Sequence, residues 1–228
     1  LSMFTSFLHL IYPRLCLACA EPLLLAEKKI CTMCISSLPR PGLFLTSPNW
    51  LSNKFGGLID YQDVHTFLVF SEGARVQKLM HQIKYKGECE LGEFLGEWCG
   101  SELVKFPDAK DYDLIIPIPL HKKRLRERGY NQASCIANGI AKFLKKECNE
   151  HILVKSVYSN SLIQQNRQDR FAVLESVFEV QNPHLILNKH VLIVDDTLTT
   201  GATLLAAGEK LLETGVGKIS FLALAALK

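Results

Sequence analysis

Four apolar residues, Val191 to Val194, run directly into two adjacent acids, Asp195 and Asp196, and then into Thr197-Leu198-Thr199-Thr200-Gly201-Ala202-Thr203. An all-apolar run of this length reads as the buried central strand of a parallel sheet. The residues that follow therefore lie at the carboxyl end of a strand, where open α/β sheets place their ligands. If a helix opens near Thr203, the backbone N–H groups of Thr199 to Thr203 sit at its N-terminus, where free donors and the helix dipole favour a phosphate. Gly201 permits close approach to the anion, and Thr199, Thr200 and Thr203 add hydroxyl donors. The two carboxylates suit sugar hydroxyls or a hydrated magnesium ion. Together these parts fit a sugar bearing a terminal phosphate. The competing reading is that the acids only cap a helix with a Thr-rich start.

A second chemistry comes from cysteine. Cys16 and Cys19 form one CxxC pair, and Cys31 and Cys34 form another. Each pair brings two thiolates to one metal from a tight turn, and the two pairs complete a tetrahedral set. Sulfur-only coordination suits zinc or an iron–sulfur centre. Zinc is expected here, because nothing in the sequence points to redox chemistry. With four ligands there is no open position, so the role is structural, and the metal supplies folding free energy that so short a module lacks. Disulfides or free thiols are the alternative. The other cysteines, Cys89, Cys99, Cys135 and Cys148, are scattered through helical patterns and are expected to be small buried hydrophobes or inert thiols.

A third group is basic and aromatic. His121-Lys122-Lys123-Arg124-Leu125-Arg126-Glu127-Arg128-Gly129-Tyr130 reads as a basic loop behind the strand Leu114–Ile118, on the same sheet edge as Asp195. Arg126, Arg128 and Tyr130 are placed either to contact a diphosphate or to hold single-stranded DNA by phosphate neutralisation and stacking. Lys84, Tyr85 and Lys86 repeat the pattern. The plainer readings are a solvated charged turn for the first segment and, for the second, a helix C-terminus that favours cations ahead of Gly87. His9, His65, His81, His151, His184 and His190 show no ligand spacing and are given no role.

The elements that must position these residues alternate. Val64–Phe70 reads as a strand, followed by a helix with Val76, Leu79, Met80 and Ile83 on one face. Helices are expected over Leu91–Phe106, from about Asn131 to Lys146 and over Thr203–Glu213. Further strands are expected at Leu114–Ile118, Ile152–Val154, Val191–Val194 and Lys218–Ala226. This rhythm implies an α/β fold, a parallel sheet with helices on both faces. A turn-rich connector around Pro39-Arg40-Pro41-Gly42 divides the chain into a metal module over residues 1–45 and a sheet domain over 46–228. The 228 residues are 48% hydrophobic and 21% charged with a net charge of +3, ordinary for a globular protein. So modest a charge leaves any nucleic-acid affinity to local clusters. No apolar run reaches the roughly eighteen residues of a membrane span. Met3 to Ile11 lacks the basic flank and small-residue cleavage site of a secretory signal, so a cytoplasmic location is expected.

The stretch Val191–Thr203 resembles the phosphoribosyl-diphosphate (PRPP) signature of type I phosphoribosyltransferases. The two CxxC pairs, Ile83-Lys84-Tyr85-Lys86-Gly87, Pro117-Ile118-Pro119-Leu120-His121 and Arg126-Glu127-Arg128-Gly129-Tyr130-Asn131-Gln132 resemble, in order, segments of ComF-family proteins. That resemblance implies a type I phosphoribosyltransferase-like sheet preceded by a four-cysteine zinc module. It implies that Asp195 and Asp196 hold the ribose hydroxyls and that Thr197, Leu198, Thr199, Thr200, Gly201, Ala202 and Thr203 wrap the 5′-phosphate of PRPP, with magnesium. Leu120 and His121 then take the diphosphate-loop position. Arg126, Arg128, Tyr130, Lys84 and Lys86 are candidates for diphosphate or DNA. The family is associated with natural competence, so the implied partners are PRPP, incoming single-stranded DNA and other DNA-uptake proteins. One departure stands out. Where the family usually carries an Arg-x-Arg-x-Thr run in the mobile loop over PRPP, this chain has Tyr158-Ser159-Asn160-Ser161-Leu162-Ile163-Gln164-Gln165, with Arg167 and Arg170 nearby and Val173 where an Asn is expected. Fewer loop cations weaken stabilisation of a departing diphosphate. The sequence therefore favours a competence protein that binds PRPP. The alternatives are an active magnesium-dependent phosphoribosyltransferase with an unidentified acceptor, and a nucleic-acid-binding scaffold with a vestigial sugar-phosphate pocket.

Overall fold

The computed structural model describes residues 13–41, 50–55, 57–70, 75–156 and 177–227. Along the chain the strands are β1 (Val64–Phe70), β2 (Leu114–Pro117), β3 (Glu147–Cys148), β4 (Leu153–Lys155), β5 (Phe178–Val180), β6 (His190–Leu198) and β7 (Lys218–Leu227). The α-helices are α1 (Thr32–Ser37), α2 (Ser52–Phe55), α3 (Arg75–Tyr85), α4 (Cys89–Leu103), α5 (Lys122–Arg128), α6 (Gln132–Leu144) and α7 (Ala202–Glu213).

Strand β6 lies at the centre of a parallel sheet in the order β1-β7-β6-β2-β3. Its residues Val191 to Val194 are fully buried, which is why the run carries no polar alternation. Successive side chains go to opposite faces. Leu192 and Val194 pack into a layer with Leu79 and Ile83 of α3, Leu91 and Leu95 of α4 and Ile136 and Ile140 of α6. Val191 and Ile193 pack on the other face with Leu204, Leu205 and Leu211 of α7. The expected architecture, a parallel sheet covered on both faces, is the one observed.

Four local expectations are corrected. Ile152–Val154 is not a strand of the parallel sheet. The edge position belongs to the short β3, which pairs with β2, and β4 instead pairs antiparallel with β5 in a separate two-stranded ribbon. The polar edge strand has no apolar alternation to announce it. The strand at Val191 does not stop at Val194 but continues through the acid pair to Leu198, because β7 keeps pairing with it up to Ala226. The basic segment after Leu120 is not a loop but the helix α5, whose Lys, Arg, Leu and Glu residues are good helix formers. His121 caps its start, with Nδ1 accepting from the Lys123 N–H at 3.2 Å, and Gly129 ends it at φ +82°. Finally, Cys89 and Cys135 are not separate thiols: they form a disulfide between the first turns of α4 and α6. Glycines let these two helices approach closely, since a Cβ at Gly96 would lie 2.2 Å from the Ile136 carbonyl oxygen and one at Gly139 would lie 2.2 Å from that of Glu93. Cys99 is buried as expected, and Cys148 is partly so.

The cysteine segment packs directly on the sheet domain. Cys16, Ala18, Ile30, Cys34 and Leu38 share a buried cluster with residues of α3 and α4. The Val69 N–H donates to the Pro39 carbonyl at 2.9 Å, and Lys29 Nζ lies 3.2 Å from Glu88 and 2.7 Å from Glu90. Among the described residues no helix is long and apolar enough to cross a membrane. The segment Tyr158–Phe171, expected to form the loop over the ligand, lies outside the described residues, as does Val173.

Candidate functional site

The parallel pairing of β2 with β6, with Pro117 beside Val194, puts the carboxyl ends of both strands on one edge of the sheet. Asp195 and Asp196 lie where β6 reaches that edge. Asp195 Oδ1 accepts from the Asp196 N–H at 2.7 Å. Burial and then the neighbouring Asp196 push the Asp195 carboxyl up to about 7, against the Asp196 N–H and the charges of Lys84 and Lys155, which pull it down. Near neutral pH this carboxyl can therefore both donate and accept.

Lys84, from the end of α3, reaches this pair: its Nζ lies 3.2 Å from Asp196 Oδ1 and donates to Thr197 Oγ1 at 2.9 Å. The loop that follows turns at Gly201 (φ +85°), in the left-handed region where glycine is favoured. Helix α7 opens immediately afterwards; Gly201 supplies no side-chain cap, and the Ala202 N–H donates to Thr200 Oγ1 at 3.4 Å. Asp195 and residues 197–204 line a small cup there, and Thr199 and Thr200 are exposed at its rim. Backbone N–H groups at the helix start, threonine hydroxyls and a positive helix end make this cup suited to a phosphate.

The structure divides the remaining basic candidates. Leu120 and His121 follow β2 on the same edge, half-buried. Tyr130 donates its hydroxyl to the Ile83 carbonyl, which ties the end of α5 to the end of α3. The Arg128 guanidinium lies 5.3 Å from the Tyr85 ring centroid. The two basic–aromatic segments, far apart in sequence, thus form one surface, with Lys86 and Arg126 exposed on it. Of the cations in it, Lys84 is in contact with the acid pair.

Two lysines at the site were not singled out from the sequence. Lys54 of α2 donates to the Thr199 carbonyl at 2.8 Å, tying the loop to the connector. Burial, helped by the charge of Arg124, lowers the pKa of Lys155 of β4, against the charge of Asp195, which raises it. Its signal was the single charge ending the apolar run Ile152–Val154.

The four sulfurs of Cys16, Cys19, Cys31 and Cys34 lie within 4.8 Å of one another. A tetrahedron with metal–sulfur bonds of about 2.3 Å has edges of about 3.8 Å, and Cys19 Sγ and Cys31 Sγ are 3.8 Å apart. The Cys31 N–H points at Cys16 Sγ (3.3 Å) and the Cys34 N–H at Cys31 Sγ (3.4 Å), the donors that thiolate ligands require. Burial opposes ionisation of Cys16, but the N–H groups of Cys31, Cys19 and Ala18 outweigh it and bring the thiol down to about 7. The donor set fits a structural metal ion.

The phosphoribosyl transferase domain family matches residues 131–227, which include the acid pair and the threonine loop. The chain is 27% identical to "Competence protein ComFC" of Bacillus subtilis (strain 168) over 152 residues, 64% of this chain and 58% of that protein. It is 22% identical to "DNA utilization protein YhgH" of Escherichia coli (strain K12), over 91% of this chain and 94% of that one. It is 31% identical to "Competence protein F" of Haemophilus influenzae over 54% of this chain and 52% of that protein. The matches therefore span little more than half the length of the two competence proteins but nearly all of the DNA utilization protein. The phosphoribosyltransferase-like sheet, the four-cysteine centre and these relatives together support a phosphoribosyltransferase-like protein of the ComF kind.

Proposed function

We propose that this protein binds PRPP with magnesium at Asp195–Thr203 and assists the cytoplasmic handling of incoming single-stranded DNA during natural transformation, its four-cysteine centre holding a structural zinc. The observation that carries this reading is a helix start preceded by a threonine loop beside a half-buried acid pair, with Lys84 held between Asp196 and Thr197. The cup would take the 5′-phosphate, and Asp195 and Asp196 the ribose hydroxyls. Bound magnesium would neutralise diphosphate charge near Leu120 and His121. Competence and DNA utilisation are named for the relatives, and the surface of Lys86, Tyr85, Arg126 and Arg128 offers this chain a matching means of holding a strand, through phosphate neutralisation and stacking. The DNA-uptake proteins that deliver the strand are the expected protein partners.

PRPP plus magnesium should raise the melting temperature by mass action on the native state. Asp195→Ala with Asp196→Ala should abolish that rise, and a rise that persists would place the ligand elsewhere. Single-stranded DNA affinity should fall steeply with salt, and Arg126→Ala with Arg128→Ala should flatten the slope by about two phosphate contacts, read from a binding titration at several salt concentrations.

A further inference from the structure

Of the eight cysteines, Cys89 and Cys135 are joined by the disulfide between α4 and α6. The others are placed for different roles. Cys16, Cys19, Cys31 and Cys34 form the metal centre. Cys99 is fully buried, and burial, with the charge of Glu102, raises its thiol pKa. Cys148 is pushed up to about 12 by burial and then by Glu150 and Glu147. Neither is a thiolate near neutral pH, and the thiolate is the reactive form.

The bonded pair has other surroundings. Cys89 is the first residue of α4 and is half-buried, whereas Cys135, in the first turn of α6, is 3% exposed. Both line the hollow beside Gly129 and Tyr130, from which a thiol can approach the Cys89 sulfur. Each cysteine stands at the positive end of its helix dipole, which favours a thiolate. The acids flanking Cys89 oppose this, but Lys29 Nζ lies 3.2 Å from Glu88 and 2.7 Å from Glu90 and offsets them. The helices do not need the bond to stay together. A Cβ at Gly96 or Gly139 would lie 2.2 Å from a carbonyl oxygen of the other helix, and one at Gly92 would lie 3.0 Å from Cys135 Cβ. Backbone contact this close keeps the cysteines near their Cα separation of 5.5 Å when the bond is open, so that it can close again.

We infer that Cys89 and Cys135 form a reversible redox site, opened by exchange with a dithiol reductant. A thiolate of the reductant attacks the Cys89 sulfur, the bond between the two cysteines breaks, and Cys135 leaves as a thiolate. The second thiolate of the reductant then attacks its own partner sulfur in the mixed disulfide and releases Cys89. The protein gains two electrons and two protons, and the dithiol becomes a disulfide. In the cytoplasm proposed for this chain, thiol pools keep structural disulfides reduced, so a bond there is transient or redox-sensing. That support rests on the proposed location; the exchange chemistry does not.

The test is thiol counting on the full chain, purified without reductant and treated with millimolar dithiothreitol in the absence of denaturant. Samples are quenched in acid, denatured and labelled with a maleimide, and peptide masses place the labels. The count should rise from six to eight, the two new labels falling on Cys89 and Cys135, while the helical circular dichroism of the treated chain persists. Oxidised glutathione should return the count to six. In Cys135→Ser, oxidised glutathione should add one glutathione at Cys89. In Cys89→Ser it should add none at the buried Cys135. The inference fails if eight thiols are labelled before reduction, if the pair opens only when the chain unfolds, or if the bond does not re-form. It fails equally if glutathione adds to Cys135 as readily as to Cys89.

Discussion

At Asp195 burial and charge conflict. Its carboxyl is pushed up to about 7 in the folded chain against 3.8 in a solvated one, so between those values the native state holds a proton that the unfolded chain releases. The stability contributed by the neutral form is therefore complete below about pH 4 and is lost as pH rises through 7. Asp195→Asn should remove this dependence. The variant should match the unaltered chain at pH 4 and exceed it at pH 8 by up to a few kcal/mol, since each pH unit between the two values is worth about 1.4 kcal/mol. Urea midpoints measured from pH 4 to 8 check this, and parallel curves for the two proteins would refute it. Lys84 acts in the opposite direction: its ammonium lowers the Asp195 value, so Lys84→Met should move the midpoint of the pH dependence upward. A ligand that engages the acid pair must therefore contend with a lysine already bound to Asp196 and Thr197.

Among the elements, α4 and α6 form the firmest contact outside the sheet, and glycine makes it possible. Gly96 and Gly139 each stand where a Cβ would lie 2.2 Å from a carbonyl oxygen of the other helix, and backbone cannot yield as a flexible side chain does. Gly96→Ala should therefore destabilise the protein by about 2 kcal/mol or more, as overpacking does, although alanine is the better helix former. Denaturant unfolding measures it, and a stabilised variant would show that the helices are not so close. This packing also brings Cys89 to Cys135. Their bond closes a loop of 46 residues, which chain entropy values at about 4 kcal/mol. It also ties the turn after Lys84 to the start of α6, so reduction should loosen the site.

For the whole molecule, the cysteine centre is part of the main core rather than an appendage. Cys16, Cys31, Cys34 and Leu38 pack in one cluster with α3 and α4, and α3 ends at Lys84 in the site. Purified protein should contain about one zinc per chain. Its removal by a chelator, or Cys16→Ser, should lower stability by a few kcal/mol in a single unfolding transition, because the module and the sheet share buried surface. Two separated transitions in a calorimeter would show instead that the module melts alone.

The sequence by itself determined the parts whose signal is local. The apolar run Val191–Val194 before two acids announced both a buried strand and a site at its end, since a strand covered on both faces cannot afford polar residues. The periodic faces of α3 and α6 and the paired CxxC turns were legible for the same reason: each satisfies its rule within a few residues. What only the tertiary structure decided depends on residues distant along the chain. Lys84 reaching Asp196, Tyr130 reaching Ile83, the charge of Lys155 acting on Asp195 and Cys89 meeting Cys135 are all set by how distant elements pack together. The two-stranded ribbon of β4 and β5 belongs to the same class, because strand partners are chosen by pairing across space and three-residue strands carry no periodic mark of their own. The sequence thus identified an acid pair and a threonine loop. The fold placed a lysine on that pair.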